Sequence, residues 1–282
     1  MVNKGQTPDI FEEIKRRYQG VMPQEAIHAH YDKYLDIDFN ARLLDLAVKV
    51  SGSEPEATVL DMGSGFGAFV FEARRRNYQA FGLDNCFYDV NYAHQRITDH
   101  FSSDKSSGNY IYGDAQLSGI KSASIDLITA WNVMEHVPDA TAFLGEAQRL
   151  LKPGGWFISI TPNYFAFRQE PHYFVPWLPL LPRSIAKAYL RLLGRRTYFF
   201  EDHIFYRTNW GLLSRLRRQG FRLVDLDWVR ISNPEMIASS QIRNIVQNLQ
   251  DWGLLPFVKL LFMARFLNPF KASVYVGAQK PQ

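Results

Sequence analysis

The sequence predicts an α/β fold, a Rossmann-like sheet of seven strands, and three observations carry that expectation. The first is VLDMGSGFGAF, Val59 to Phe69: a short apolar run, glycines at every second position (Gly63, Gly65, Gly67), and then a helical pattern. The second is an alternation of further apolar runs with helical stretches, the runs falling at 79–83, 109–112, 125–130, 156–161 and 221–229. The third is SVYVGA, Ser273 to Ala278, expected as a seventh strand running antiparallel to its neighbours.

Composition sets the bounds. A chain of 282 residues with 46% hydrophobic and 15% aromatic content can bury a large core. One domain is expected, with helices over residues 1–50, a ligand-binding core over 57–162, and insertions at 165–202 and 231–270. A net charge of +4 and a pI near 9.0 suit an anionic surface or acceptor, but fall far short of the charge density of a dedicated nucleic-acid binder. The single cysteine, Cys86, excludes an internal disulfide and is read as a small residue of the cleft wall. The stretch MVNKGQTPDIFEE has no apolar segment of the secretory kind. Trp252 to Phe270 is too interrupted, by Pro256, Lys259, Arg265 and Pro269, to make a good membrane span. A cytoplasmic location is expected.

In chain order, residues 9–50 read as helices, with Asp38 as the cap of a segment whose stripe is Leu43, Leu44, Leu46, Ala47 and Val50. The helix after the glycine turn carries Phe69, Val70 and Ala73 on one face and Arg74, Arg75 and Arg76 at its end, which suits its dipole. Residues 89–100 read as helix. The helix over 140–151 stops at Lys152-Pro153-Gly154-Gly155, and Thr208 or Asn209 caps another that ends at Gly220.

A strand, a glycine turn and a helix N-terminus form a cleft at the carboxyl edge of a parallel sheet. Gly63, Gly65 and Ala68 also fit the dinucleotide pattern G-x-G-x-x-G/A, with Asp84 near the spacing of a ribose-binding acid. Asp61 discriminates between ligands. Its carboxylate, just before the glycines, would repel a pyrophosphate and favours the ammonium and sulfonium end of S-adenosylmethionine. A nicotinamide-dependent oxidoreductase is therefore the disfavoured rival, and a non-catalytic protein of the same fold is the other.

The segments VLDMGSGFG, GLDNC, GDAQ, IDLITAWNVMEHVPD and LLKPGGWFISITPN together resemble the class I S-adenosylmethionine-dependent methyltransferases, in particular the broad group that includes the ubiquinone-pathway O-methyltransferases. The resemblance covers residues 57–162 well and 203–229 more loosely. It implies S-adenosylmethionine as cofactor, held by Asp61, Gly63, Ser64, Gly65, Gly67, Asp84, Asn85, Asp114, Ala115 and Asn132. Within that set Asp84 takes the ribose hydroxyls and Asp114 the adenine amino group; a turn or capping role is the alternative for each. It also implies that helices ahead of the sheet fold over the cofactor cleft, although packing outside the sheet is equally compatible with their pattern. Glu135 and His136 match the group's E-H-V element, but Asn132 stands where a further acid is common, so no metal is expected. The N-P-P-Y-type element of amino-group DNA methyltransferases is missing, which counts against base methylation.

Methyl transfer from a sulfonium is an in-line displacement that needs positioning and desolvation. A hydroxyl acceptor also needs a base, and histidine is the obvious type. His28, His30, His136, His172 and His203 lie on cleft-side segments. His203 ranks first, because it precedes the helix that borders the acceptor pocket in relatives; His136 and His172 follow. The expected acceptor is a hydroxyl of a small molecule, sugar or lipid-linked compound, with N- or carboxyl-methylation as the alternative. Arg183, Lys187, Arg191 and Arg195 fall four apart, so a basic stripe over 177–196, together with the apolar 252–266, suggests peripheral contact with the inner membrane face, unless these segments simply close the pocket.

Overall fold

A computed structural model describes residues 10–100, 109–237, 239–267 and 270–282. The chain begins with three helices, α1 (Ile10–Tyr18), α2 (Gln24–Leu35) and α3 (Ile37–Ser51). The cap of α3 is Asp36, whose carboxylate accepts from the Phe39 N–H; Asp38, expected in that role, lies inside the first turn. Then come β1 (Thr58–Met62), α4 (Ala68–Arg75), β2 (Gln79–Asp84), α5 (Phe87–His100), β3 (Tyr110–Tyr112), β4 (Ile125–Trp131), α6 (Ala140–Leu150) and β5 (Leu151–Pro162).

The first insertion contains a short ladder, β6 (Arg168–Gln169) with β7 (Pro176–Trp177), and the helices α7 (Arg183–Leu192) and α8 (Tyr198–His203). Next are α9 (Asn209–Arg218), capped by Thr208, and β8 (Arg222–Asp225). The apolar run expected to stay extended to Val229 instead turns at Asp225, whose side chain caps α10 (Leu226–Ser232). The chain ends with α11 (Ser240–Asp251), α12 (Leu255–Leu267) and β9 (Ser273–Gln279).

Seven strands form one sheet in the order β3-β2-β1-β4-β5-β9-β8. The first five are parallel, and β9 runs antiparallel to both β5 and β8, as expected of the closing strand. Strand β1 is central and buried on both faces. Leu60 and Met62 join a cluster with Phe143, Leu144 and Leu150 of α6 and Leu212 and Leu216 of α9. Val59 joins the opposite cluster, with Leu44 and Ala47 of α3 and Phe69 and Val70 of α4. The two-residue alternation of a strand thus divides one segment between two cores.

A third cluster sits at one end of this sandwich. Ile14 and Tyr18 of α1 and Ile27 of α2 pack with Phe66 of the glycine turn and with Trp177, Leu190 and Phe200 of the first insertion. Helices α1 and α2 therefore cover the cleft while α3 packs on the sheet, so each of the two placements open to these helices is realised by part of the segment. Among the described residues, no helix is long and apolar enough to cross a membrane.

Candidate active site

The turn after β1 is built by three glycines that do different things. All three have positive φ, at 85°, 49° and 75° for Gly63, Gly65 and Gly67. A Cβ on Gly63 would meet Val133 Cγ2 at 2.4 Å, and one on Gly67 would meet the Tyr110 hydroxyl at 2.2 Å. At Gly65 a Cβ would find nothing within 4 Å. Gly63 and Gly67 are thus demanded by packing, and Gly65 is the one whose bare backbone faces open space. Asp84, at the end of β2, is tied to that spot: its carboxylate accepts from the Gly65 N–H at 2.8 Å and from the Cys86 N–H at 2.8 Å.

Asp61 is the penultimate residue of β1, opposite Thr129 of β4 in register, and Thr129 Oγ1 donates to its carboxylate at 2.7 Å. It is only 3% exposed. Burial is the main force pushing its carboxyl up to about 7; the Thr129 hydrogen bond opposes this and the Asp84 charge adds to it. Such a group gains most from a cationic ligand. Asp84, half-buried, is also raised by burial, against its two backbone hydrogen bonds.

The other expected contacts line the same rim. Ser64 is buried with no partner for its hydroxyl, and Asn85 and Asp114 are exposed. Asp114 caps its own turn by accepting from the Gln116 N–H at 2.8 Å. Ala115 packs against the sheet core, and Asn132 takes φ 55° as the chain leaves β4. Sequence reasoning missed Arg17. From α1 it reaches the Asp89 carboxylate, donates to Cys86 Sγ at 3.3 Å and lies 5.4 Å from the Phe66 ring centre. It anchors α1 beside the glycine turn.

The three ranked histidines come together. His136 and His172 rings lie 4.9 Å apart, and each approaches Phe199, which also contacts His203 at 5.2 Å. His136 Nδ1 donates to the His203 carbonyl at 2.6 Å. Burial first, then the His172 charge, push His136 down to about 3. His172 is 6% exposed and its Nδ1 contacts Glu170 Oε1 at 2.9 Å; although burial opposes it, Glu170 leaves the imidazole above its ordinary value. Glu170 in turn accepts from the Tyr164 hydroxyl and from the His172 and Tyr173 N–H groups. The His203 side chain remains exposed. His28 stacks on Phe11 at 4.5 Å and His30 lies edge-on to Tyr18 at 4.8 Å; both stand on α2. This cluster adjoins the glycine turn, since Val133, three residues before His136, is the residue against Gly63.

Comparison with known proteins agrees with this geometry. Residues 29–226 match the family described as "Methyltransferase domain". A ubiquinone biosynthesis O-methyltransferase of Xanthomonas oryzae pv. oryzae is 30% identical over 183 residues, 64% of this chain and 66% of that protein. One from Paramagnetospirillum magneticum is 34% identical over 128 residues, 43% of this chain and 49% of that protein. The chain thus spans about half to two thirds of the length of these relatives. Among solved structures, a Haemonchus contortus phosphoethanolamine N-methyltransferase bound to phosphomonomethylethanolamine and S-adenosylhomocysteine superposes with a TM-score of 0.56. Its identity is 16%, covering 99% of this chain and 62% of that one. The fold is that of the class I methyltransferases, and the cofactor is S-adenosylmethionine.

Proposed function

Since the chain belongs to the class I S-adenosylmethionine-dependent methyltransferases, we propose that it transfers the cofactor's methyl group to a hydroxyl of a small-molecule, sugar or lipid-linked acceptor. The observation that carries the hydroxyl reading is the histidine cluster around Phe199, one turn of chain from the cofactor loop. The fold alone does not distinguish oxygen from nitrogen or carbon acceptors, but a neutral alcohol needs help with its proton and an amine that arrives neutral does not.

In this reading Gly65 and Asp84 seat the cofactor, Asp61 meets its positive end, and Arg17 holds α1 over the cleft to keep water from the sulfonium. His203 takes the acceptor's proton. It is the histidine of the cluster that faces solvent, so the proton leaves readily, whereas His136 at about 3 is too weak a base at neutral pH. The test is an S-adenosylhomocysteine release assay on fractionated metabolites and lipid extracts, with the product identified by mass. A methoxy product is expected, with turnover of His203→Ala lower by about 10²-fold and cofactor affinity unchanged. An N-methyl product with no hydroxyl acceptor would overturn the reading.

A membrane-associated acceptor is favoured by α11 and α12 rather than by the basic stripe. Arg183 donates to the Phe200, Glu201 and Ile204 carbonyls and stacks on the Phe200 ring. Lys187 and Arg191 pair with Glu201, and Arg195 follows the end of α7. The stripe thus ties α7 to α8. By contrast Trp252, Phe257, Leu260 and Leu261 are each 70–72% exposed. Aromatic and aliphatic side chains presented in this way suit the headgroup boundary of a bilayer.

A further inference from the structure

The two faces of the sheet are finished differently at its carboxyl edge. Towards α6 and α9, Val274 and Val276 of β9 are fully buried. Towards α3 and α10, Trp131 of β4, Ile160 of β5 and Tyr275 of β9 are only half-buried. Trp131 stands beside Ile160 in register and Ile160 beside Tyr275, so the three side chains form one row on that face. The row begins at the glycine turn, because Trp131 is two residues before Val133, which meets Gly63. It ends two strand spacings away, about 10 Å.

The polar groups along this row are donors that lack an acceptor. Trp131 Nε1 is buried without a hydrogen-bond partner, where an indole N–H normally has one. Arg230 of α10 is half-buried, its guanidinium 5.9 Å from the Tyr275 ring centre, and among the described residues no carboxylate pairs with it. The acids nearby are committed elsewhere: Asp225 and Asp227 meet Lys271 at 3.5 and 2.5 Å. A guanidinium drawn half out of water beside an aromatic ring, with no counter-charge, favours an incoming anion.

We propose that this row is the floor of a subsite for an anionic group of the acceptor, a carboxylate or a phosphate. Arg230 takes the anion at the Tyr275 end, and the acceptor's apolar body lies along Ile160 towards Trp131, whose N–H donates to an oxygen nearer the glycine turn. That the anion belongs to the acceptor rests on the methyl-transfer reading above; the anion site itself does not. Lys259, 5.6 Å from the Trp228 ring centre and exposed, adds positive charge on the same insertion.

Calorimetry on the full chain saturated with S-adenosylhomocysteine tests the site, with benzoate and phenyl phosphate as probes and phenol and inorganic phosphate as controls. One site per chain is expected, and the tighter of the two probes tells carboxylate from phosphate. Phenol and inorganic phosphate should each bind at least 10-fold more weakly. Arg230→Ala should weaken the tighter probe by about 10- to 100-fold, as loss of a hydrogen bond to a charged partner does, and leave phenol unchanged. Arg230→Lys should recover only part of this, because an ammonium lacks the planar fork. Trp131→Phe keeps a ring, removes the N–H and should cost about 10-fold. S-adenosylhomocysteine affinity reports whether each variant is folded; if Trp131→Phe fails that control, the Arg230 variants carry the test. Failure of both probes to bind the S-adenosylhomocysteine-competent wild type would overturn the subsite, and so would equal binding by Arg230→Ala. The metabolite fractions that support S-adenosylhomocysteine release should be those retained on an anion-exchange resin. Activity confined to neutral, unretained fractions would overturn the link to the acceptor while leaving methyl transfer itself standing.

Discussion

Replacing Asp61 with asparagine separates what this carboxyl costs the empty protein from what it gives the cofactor. A carboxyl ordinarily at 3.8 is moved to about 7. At roughly 1.4 kcal/mol per pH unit the move amounts to as much as about 4 kcal/mol. Between those two values the folded protein keeps a proton that the unfolded chain has released, so stability falls as pH rises from about 4 to about 7 and then levels off. Asparagine keeps the shape and can still accept from Thr129, but it has no charge to bury. The empty Asp61→Asn protein should therefore melt only slightly above the wild type at pH 5 and well above it at pH 8, by roughly 8–16 °C at 2–4 °C per kcal/mol. Cofactor binding should move the other way. Wild-type affinity for S-adenosylmethionine should rise with pH through 7, and Asp61→Asn should bind it about 10- to 100-fold more weakly with no such pH dependence. Thermal unfolding from pH 5 to 8.5, with and without cofactor, reads both. Parallel melting profiles for the two proteins would refute the argument, because they would mean that Asp61 does not titrate in this window.

Three further outcomes follow from the same geometry. Gly65→Val should abolish cofactor binding by calorimetry, because its side chain enters open space meant for ligand, whereas Gly67→Ala should chiefly lower the melting temperature, its Cβ falling 2.2 Å from the Tyr110 hydroxyl. Asp84→Ala should weaken S-adenosylhomocysteine by about 1.5–3 kcal/mol, the range for hydrogen bonds to a charged partner, and NAD should bind neither protein. Co-sedimentation with anionic vesicles should capture the wild type in a salt-weakened manner, and Phe257→Asp with Leu260→Asp should abolish capture; no wild-type capture even at low salt would return α11 and α12 to a lid role.

The glycine turn and the strands beside it were legible because their signals are local. Val59 and Leu60 sit between two cores, the turn needs positive φ at alternate residues, and Asp84 closes β2, so a short stretch of chain already contains the constraint. The errors came where one residue chose between two local structures. Phe221 to Val229 is apolar enough for a strand throughout, and only the capping carboxylate of Asp225 converts its second half into α10. Asp36 and Asp38 are both plausible caps, and the choice falls to the one whose carboxylate meets the Phe39 N–H. Pro182 starts α7 late and Gly194, at φ 70°, follows its end, so Arg195 drops out of the four-residue stripe.

The covering layer was hidden for a different reason: its contacts join segments far apart in the chain. Arg17 reads in sequence as one of three consecutive basic residues ending a surface helix, yet it meets Asp89 and Cys86, about seventy residues on. His172 reads as an isolated histidine in an aromatic loop. Its environment is made by Tyr164 just beyond β5, by Glu170 on its own insertion, and by Glu135 and His136 in the turn that follows β4. No periodicity links such positions, because what brings them together is the packing of Trp177, Phe200 and Phe66 into the third cluster. The sheet edge, fixed by local pattern, thus presents the glycine turn, and on the proposed reading the insertions supply the groups that face the acceptor. A chain can keep the former and change its acceptor by rebuilding only the latter.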